Sequence, residues 1–390
     1  MNPGLLKPLT ATVALTLLTP ATQAQEPAAT ELKAPSVKAA KKAKSTPKFG
    51  YKGGFFIASP DDAYKLKIGA RVQTRFTFDK DDEGESHQFS IPRARLTLKG
   101  NVFSKDLTYK FQTDFGKGFV TLKDFYVDYR AIKGWLHIRA GQYKKPFSRQ
   151  QLTSSSKLAM VDRALTDKAF GAGRDIGVML HNKNAAFEYA VGLFNGTGDK
   201  SKFSGAADLV EGDVTGKFSN VPSKFNPMAV IRLGYNHGGI KGYSEADLKG
   251  GPFRFAIGAS TKVDGGLDRD GDAGELGAEL DFILKVSGFS LSGAAYYDTP
   301  LGEGDASFGF HTQLGYVIDG RYGLMTRYAR MQDLGADGPS VQEIGGAFSL
   351  YAWGHKMKWQ TDFSALIDSD PGAGTEELTY LVRTQVQLGF

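Results

Sequence analysis

The chain ends Glu377-Leu378-Thr379-Tyr380-Leu381-Val382-Arg383-Thr384-Gln385-Val386-Gln387-Leu388-Gly389-Phe390, and the reading of this stretch decides the fold. Leu378, Tyr380, Val382, Val386, Leu388 and Phe390 fall on one face, with only Thr384 interrupting, while Arg383, Gln385 and Gln387 share the other. That is the period-2 pattern of a strand. A strand with one apolar and one polar face meets two different solvents. In a soluble sandwich the apolar face would cover a core; in a membrane barrel it would meet lipid, with the polar face turned to a water-filled lumen.

The opposite end of the chain separates these readings. Residues 1–24 carry Lys7, an apolar run from Ala11 to Leu18 and a small-residue site ending Thr22-Gln23-Ala24, which reads as a removable signal peptide. Beyond it no stretch approaches the ~18 to 20 apolar residues that a spanning helix needs. The absence of cysteine excludes a disulfide scaffold and any cysteine metal site. Residues 25–48, rich in Ala, Lys, Pro and Thr and without an aromatic, cannot bury enough surface to fold alone and read as a flexible basic arm. Residues 49–390 show no internal linker, and a large barrel is the simplest single domain of that length. A terminal Phe390 on an alternating strand resembles the C-terminal signature of bacterial outer-membrane barrels.

Gly and Asp clusters divide the remainder into alternating segments at 64–78, 89–102, 106–116, 119–131, 135–143, 174–181, 186–194, 226–236, 252–263, 274–287, 288–298, 307–318, 321–331, 341–352, 356–367 and 377–390. These predict a sixteen-stranded all-β transmembrane antiparallel barrel in the bacterial outer membrane, an even count as single-chain barrels require. Short links alternate with long ones, as periplasmic turns alternate with external loops. The stretch 237–251 is long for a periplasmic turn and 117–118 short for an external loop. Aromatics including Tyr296, Tyr297, Tyr351 and Trp353 fall where interfacial girdles are expected.

Alternation assigns every second residue to the lumen. In the first two segments Lys65, Lys67, Arg71, Gln73, Arg75, Arg93, Arg95, Thr97 and Lys99 face inward, and later strands add Lys110 and Arg139, partly offset by Asp114, Asp124 and Asp128. The bias is local. Residues 49–175 hold 23 Lys and Arg against 14 Asp and Glu, whereas 176–390 hold 18 against 26. Guanidinium forks suit phosphate and carboxylate oxyanions, and cationic rings at a constriction select anions when each site releases its ion readily. The anion-pathway candidates are Lys65, Lys67, Arg71, Arg75, Arg93, Arg95, Lys110 and Arg139.

The link 144–173 combines basic residues with the apolar anchors Phe147, Leu152, Leu158, Met160, Leu165 and Phe170. So many anchors predict a loop folded into the barrel, packed on the wall by its apolar side and narrowing the pore with Lys144, Lys145, Arg149, Arg163 and Lys168, followed by Arg174. A surface loop packed on its neighbours is the alternative.

The runs Gly141-Gln142-Tyr143-Lys144-Lys145-Pro146-Phe147-Ser148, Leu152-Thr153-Ser154-Ser155, Asp162-Arg163, Gly173-Arg174-Asp175-Ile176-Gly177-Val178 and Gly192-Leu193-Phe194-Asn195-Gly196-Thr197-Gly198 resemble the phosphate-selective porins O and P. The resemblance implies a trimeric, sixteen-stranded outer-membrane channel for phosphate-like anions whose third external loop folds inward. Gln150 and Asp162 depart from the glutamates often found there, and the acidic second half departs from a uniformly basic pore.

Asp268, Asp270, Asp272 and Glu279 match the carboxylate spacing of a calcium loop, but Ala273 stands where glycine belongs, so an acidic hairpin is the better reading. The six histidines have no zinc spacing, and no nucleophile elbow or phosphate-cradling glycine loop occurs. The sequence thus points to a passive channel, with no enzyme activity, cofactor or nucleic-acid partner. Its expected partners are phosphate or other small anions, outer-membrane lipid, further copies in a homotrimer and peptidoglycan at the basic arm. A general diffusion porin and a barrel hydrolase are the alternatives.

Overall fold

A computed structural model describes residues 46–390 apart from 119, 184–185, 197–201, 209–212, 220–226 and 266–273. The expected signal peptide and nearly all of the arm lie outside the described residues. Sixteen strands form the wall: β1 (Lys65–Lys80), β2 (Glu85–Asn101), β3 (Leu107–Asp114), β4 (Thr121–Ile132), β5 (Leu136–Lys144), β6 (Arg174–His181), β7 (Phe187–Phe194), β8 (Met228–His237), β9 (Arg254–Asp264), β10 (Glu275–Val286), β11 (Phe289–Pro300), β12 (Ser307–Ile318), β13 (Tyr322–Asp333), β14 (Ser340–His355), β15 (Met357–Asp370) and β16 (Thr375–Gly389). Each pairs antiparallel with the next, and β16 returns to β1 with Gly389 opposite Arg71. Closure leaves no unpaired first or last strand in the wall, as hydrocarbon would not tolerate one. All sixteen expected segments are present, with ends displaced by no more than four residues.

The two-solvent reading holds for the C-terminal strand. Val386 and Leu388 are each 51% exposed on the outside, whereas Arg383, Gln385 and Gln387 are at most 4% exposed within. Phe390 continues the ladder, its amide donating to the Ala70 carbonyl at 3.0 Å, and its ring meets Phe55 edge-on at 5.9 Å. Tyr296 and Tyr351 correct the girdle expectation. Their neighbours alternate outward, so these two rings point inward and are buried under the luminal loop.

Two hairpins were not legible as strands. Lys48–Tyr51 pairs with Phe55–Ala58, which continues along Lys65–Ile68 of β1 below the end of β16. Lys48 therefore belongs to a strand, and the arm stops short of it. Lys202–Asp208 pairs with Asp213–Ser219 in the long link between β7 and β8. The short link after β3 is a 3-10 turn at Gly116–Gly118.

The link after β5 folds into the lumen. It carries two short helices, α1 (Arg149–Leu152) and α2 (Leu165–Phe170). Phe147 and Phe170 pack with Tyr143, Phe194 and Tyr296, while Met160 packs with Val317, Met325 and Tyr351, so the loop's greasy side covers the wall from β5 round to β14. Ser148 holds the entry at φ 64°, a region a non-glycine residue rarely occupies. Its hydroxyl donates to Asp167 at 2.5 Å and caps α1 by accepting from the Gln151 amide at 3.3 Å.

Candidate functional site

Register stacks the cationic residues into rows. Lys67 lies opposite Lys99, and Lys99 opposite Lys110, across β1, β2 and β3. Two lumen positions higher, Arg71 lies opposite Arg95 and Arg95 opposite Asp114; the row between them holds Gly69, Thr97 and Gln112. Successive rows are ~7 Å apart, twice the strand rise. Like charges placed directly opposite destabilise a sheet, so each row needs counter-charge.

Much of that counter-charge comes from the protein. Arg95 Nε donates to Asp114 at 2.7 Å, Lys110 pairs with Asp124, Arg174 Nε donates to Asp124 at 2.8 Å, and Arg139 grips Asp128 at 2.9 and 2.7 Å. Arg75 and Arg93 meet Asp162 of the loop at 3.4 and 3.2 Å. These residues line the lumen face as alternation required, but none stands free. Arg75 and Arg93 fasten the loop to the wall, a correction to their reading as open pathway cations.

Four cations of this wall have no carboxylate partner among the described residues. Arg71 donates only to hydroxyls, Ser155 at 2.9 Å and Ser154 at 3.4 Å, and its Nε is buried with no acceptor. Lys67 donates to the Lys52 carbonyl, Lys65 lies 4.8 Å above the Phe56 ring, and Lys99 is exposed. Beside Arg71 is a chamber of about 250 Å³ lined by Arg71, Arg95, Lys110, Arg139, Lys144 and Arg174 against one carboxylate, Asp124.

The loop cations divide the same way. Lys144 donates to three carbonyls, those of Gln151, Leu152 (3.2 Å) and Thr153 (2.9 Å), gathering the end of α1. Arg163 is spent on Asp167 at 3.2 Å and on the carbonyls of Gln150 and Thr153; Lys145 faces Asp175 at 3.6 Å. Arg149 reaches across to Asp281 on β10 at 2.6 Å, so it docks the loop rather than lining an opening. Lys168 is exposed on α2 and makes no ion pair among the described residues. Burial would raise the Asp162 carboxyl, but Arg93, Lys168 and Arg75 around it hold it below the ordinary aspartate range.

Most charges of the opposite wall are paired within it, while Lys285 and Lys358 donate to the carbonyls of Ser244 and Leu158. Arg232 pairs with Asp281 at 2.6 Å and Glu279 at 3.3 Å, Arg383 with Asp362 at 2.8 Å, Arg327 with Glu343, and Lys262 with Asp298 at 2.7 Å. Glu279 is thus inside the barrel, accepting also from Ser260 at 2.5 Å, and is no member of a calcium loop; Asp268, Asp270 and Asp272 lie outside the described residues. Asp128 sits between His137 at 2.9 Å and His181 at 2.8 Å. Its oxygens are also taken by Arg139 and Lys183, and two adjoining cations make it a poor seat for a metal ion.

Sequence reasoning missed the serine hydroxyls on Arg71, which have no charge signature, and left Lys99 out of the pathway although alternation had turned it inward. It also missed the carboxylates that hold the loop, because each is distant in sequence from its partner.

The family model of the phosphate-selective porins O and P matches residues 66–233, the part that contains these rows and the luminal loop. An uncharacterised protein of Aquifex aeolicus is 23% identical over 336 residues, covering 75% of this chain and 80% of its own length. Among solved structures, an anion-selective porin from Comamonas acidovorans superposes with a TM-score of 0.59 at 14% identity, covering 83% of this chain and 99% of that one. The outer-membrane channel DcaP of Acinetobacter baumannii gives 0.58 at 13% identity, covering 84% and 97%. With a closed barrel of sixteen strands, this chain has the fold of an outer-membrane β-barrel porin and, over residues 66–233, is similar to the phosphate-selective porins O and P.

Proposed function

We propose that the barrel passes small anions, phosphate or polyphosphate by preference, along the wall formed by β1–β6. The observation that carries this reading is Arg71, a guanidinium with a buried, unpartnered Nε and only two serine hydroxyls for company, at the edge of a chamber lined by five further cations. An oxyanion there would accept from Arg71 and supply the missing counter-charge. The paired cations tune the field while their carboxylates keep binding weak enough for release. The Lys67–Lys99–Lys110 row offers a second station on the periplasmic side of the first.

Residues 1–24 would be removed on export, and the basic arm would hang in the periplasm, where anionic polymers such as peptidoglycan are available. The protein would assemble as a homotrimer. Strands β3–β7 are shorter than β1 and β2, leaving Glu85–Arg93 of β2 without a second partner strand and exposing Phe89 and Ile91 beside the low wall, where a neighbouring copy would cover them.

The test is the reversal potential of the purified protein in a planar bilayer under a chloride gradient, repeated with phosphate titrated in. Anion preference with block by phosphate is expected. Cation preference would overturn the reading, and anion current indifferent to phosphate would reduce it to a general anion-permeable porin.

A further inference from the structure

The connection between β8 and β9, residues 238–253, breaks the rule of its side of the barrel. Every other turn at that end has between one and five residues, at 102–106, 133–135, 182–186, 287–288, 319–321 and 356. This one is long and does not hang outward. Ser244, Glu245, Ala246 and Asp247 are all under 9% exposed, and Ala246 and Leu248 join the cluster of Met160, Val317, Met325 and Tyr351 inside the lumen.

It is clasped to the luminal loop from below. The Glu245 carboxylate accepts from the Ala159 amide at 2.7 Å and from Gln150 Nε2 at 2.9 Å, and the Glu245 amide donates to the Lys157 carbonyl at 3.2 Å. The wall holds the turn in its turn. Lys285 donates to the Ser244 carbonyl, Tyr243 donates to Glu188 at 2.6 Å, and Ser244 bonds His355 Nε2 at 2.9 Å. The cavity between loop, turn and the β10–β12 wall measures about 20 Å³, space for about one water. On the other side a chamber of about 250 Å³ lies against β1–β6, and one of about 450 Å³ lies against β5–β8, where Arg232 and the turn's own Tyr243 help to line it.

We infer that the 238–253 turn is a luminal wedge that, together with the 145–173 loop, closes the charge-balanced half of the barrel and confines ions to the cationic half, with Glu245 as the residue that positions the two against each other. Most charges of the wall behind the wedge are paired within it, and Lys285 is taken up by carbonyls of the turn, so an opening there would prefer anions less than the β1–β6 side does. Selectivity then depends on keeping that half shut as well as on the cations that line the open half. This rests on the anion reading above only for the sign of the selectivity; the closure itself does not.

The experiment compares wild type, Glu245→Ala and Glu245→Gln in planar bilayers, each first shown to be a folded barrel by its heat-modifiable electrophoretic mobility. Glu245→Ala removes both acceptors and is expected to raise single-channel conductance about twofold and to move the chloride reversal potential toward zero. Glu245→Gln keeps one acceptor and should stay near wild type. Lys285→Met, which releases the wedge from the wall without touching the loop, should change both quantities in the same direction and stands in if Glu245→Ala does not fold. Wild-type conductance in folded Glu245→Ala, or a rise in conductance with the wild-type reversal potential, would overturn the inference. A wild-type channel that prefers cations would overturn the anion reading instead, leaving the conductance comparison to judge the wedge.

Discussion

Arg71→Gln is the substitution from which most can be learned. Among the described residues its guanidinium hydrogen-bonds only to Ser154 and Ser155, so no carboxylate there loses an ion-pair partner when the charge is removed, and the barrel should fold with little loss of stability. A unit charge about 4 Å from a bound anion contributes ~1 kcal/mol in bulk water and ~4 kcal/mol at an effective dielectric of ~20. The chamber is lined by six cations but opens to water, so the lower part of that range applies. A loss of ~1.4 kcal/mol corresponds to about tenfold weaker anion binding. In single-channel recordings the phosphate concentration giving half-block should therefore rise about tenfold, and the chloride reversal potential should move toward zero. Arg71→Lys keeps the charge but gives up the fork, and should fall between the two. Arg130→Gln is the control, since it removes one member of an exposed ion pair with Asp106 near the turn. If Arg71→Gln keeps the wild-type half-block concentration and potential, the Arg71 station is wrong and the Lys67–Lys99–Lys110 row becomes the place to look.

Lys144→Met should loosen the luminal loop. It leaves the Leu152 carbonyl without its side-chain donor, at ~1–3 kcal/mol for an unmet buried group, and the Gln151 and Thr153 carbonyls with Arg163 alone, and should lower the temperature of the heat-modifiability transition while adding current noise. Asp162→Asn should destabilise the barrel in a pH-dependent way. Because the Asp162 carboxyl is depressed in the fold, its contribution is fully present above the ordinary aspartate value of ~3.9 and is lost progressively as pH falls from there through the depressed native value, so the gap between wild type and variant should begin to narrow below about pH 4 and keep narrowing on further acidification. A gap that widens on acidification would contradict the assignment. Phe390→Ser keeps the backbone rung to Ala70 but loses the edge-on contact with Phe55, and should slow barrel assembly in refolding kinetics without altering the conductance of folded channels.

The wall was legible because period-2 alternation is a local property. The strand over 377–390 can be read with no knowledge of its neighbours, and lipid on one side with water on the other enforces the pattern all the way round. The hairpin 202–208/213–219 carried few apolar residues, so its pairing left no alternation to find. Tyr296 and Tyr351 failed for a different reason: a buried luminal ring and an interfacial ring are the same residue type, and the loop that buries these two comes from far away in sequence. The same distance hid the partners of the basic residues. Arg75 and Arg93 read as free cations until Asp162 is brought to them, and Arg149 read as a constriction residue until Asp281 is seen to hold it.

The acidic second half explains the asymmetry of the pore. Buried ion pairs contribute little net stability, because desolvation offsets their attraction, so a wall full of them calls for another reason. Three carboxylates on that wall also serve the loop. Asp362 accepts from the Val161 amide at 3.0 Å, Glu343 from the Leu165 amide at 2.9 Å, and Asp281 from Arg149 at 2.6 Å. Loop amides need acceptors wherever the loop is buried, and carboxylates already balanced by Arg383, Arg327 and Arg232 supply them without leaving negative charge facing the water. The loop is therefore drawn toward β10–β15, and the chambers that remain lie along β1–β8, with the unpaired cations on β1 and β2. There Arg71, Lys67 and Lys99 keep their charge uncompensated. A barrel whose described wall is close to neutral in sum can in this way present a cationic passage, because its carboxylates are placed where they hold the loop.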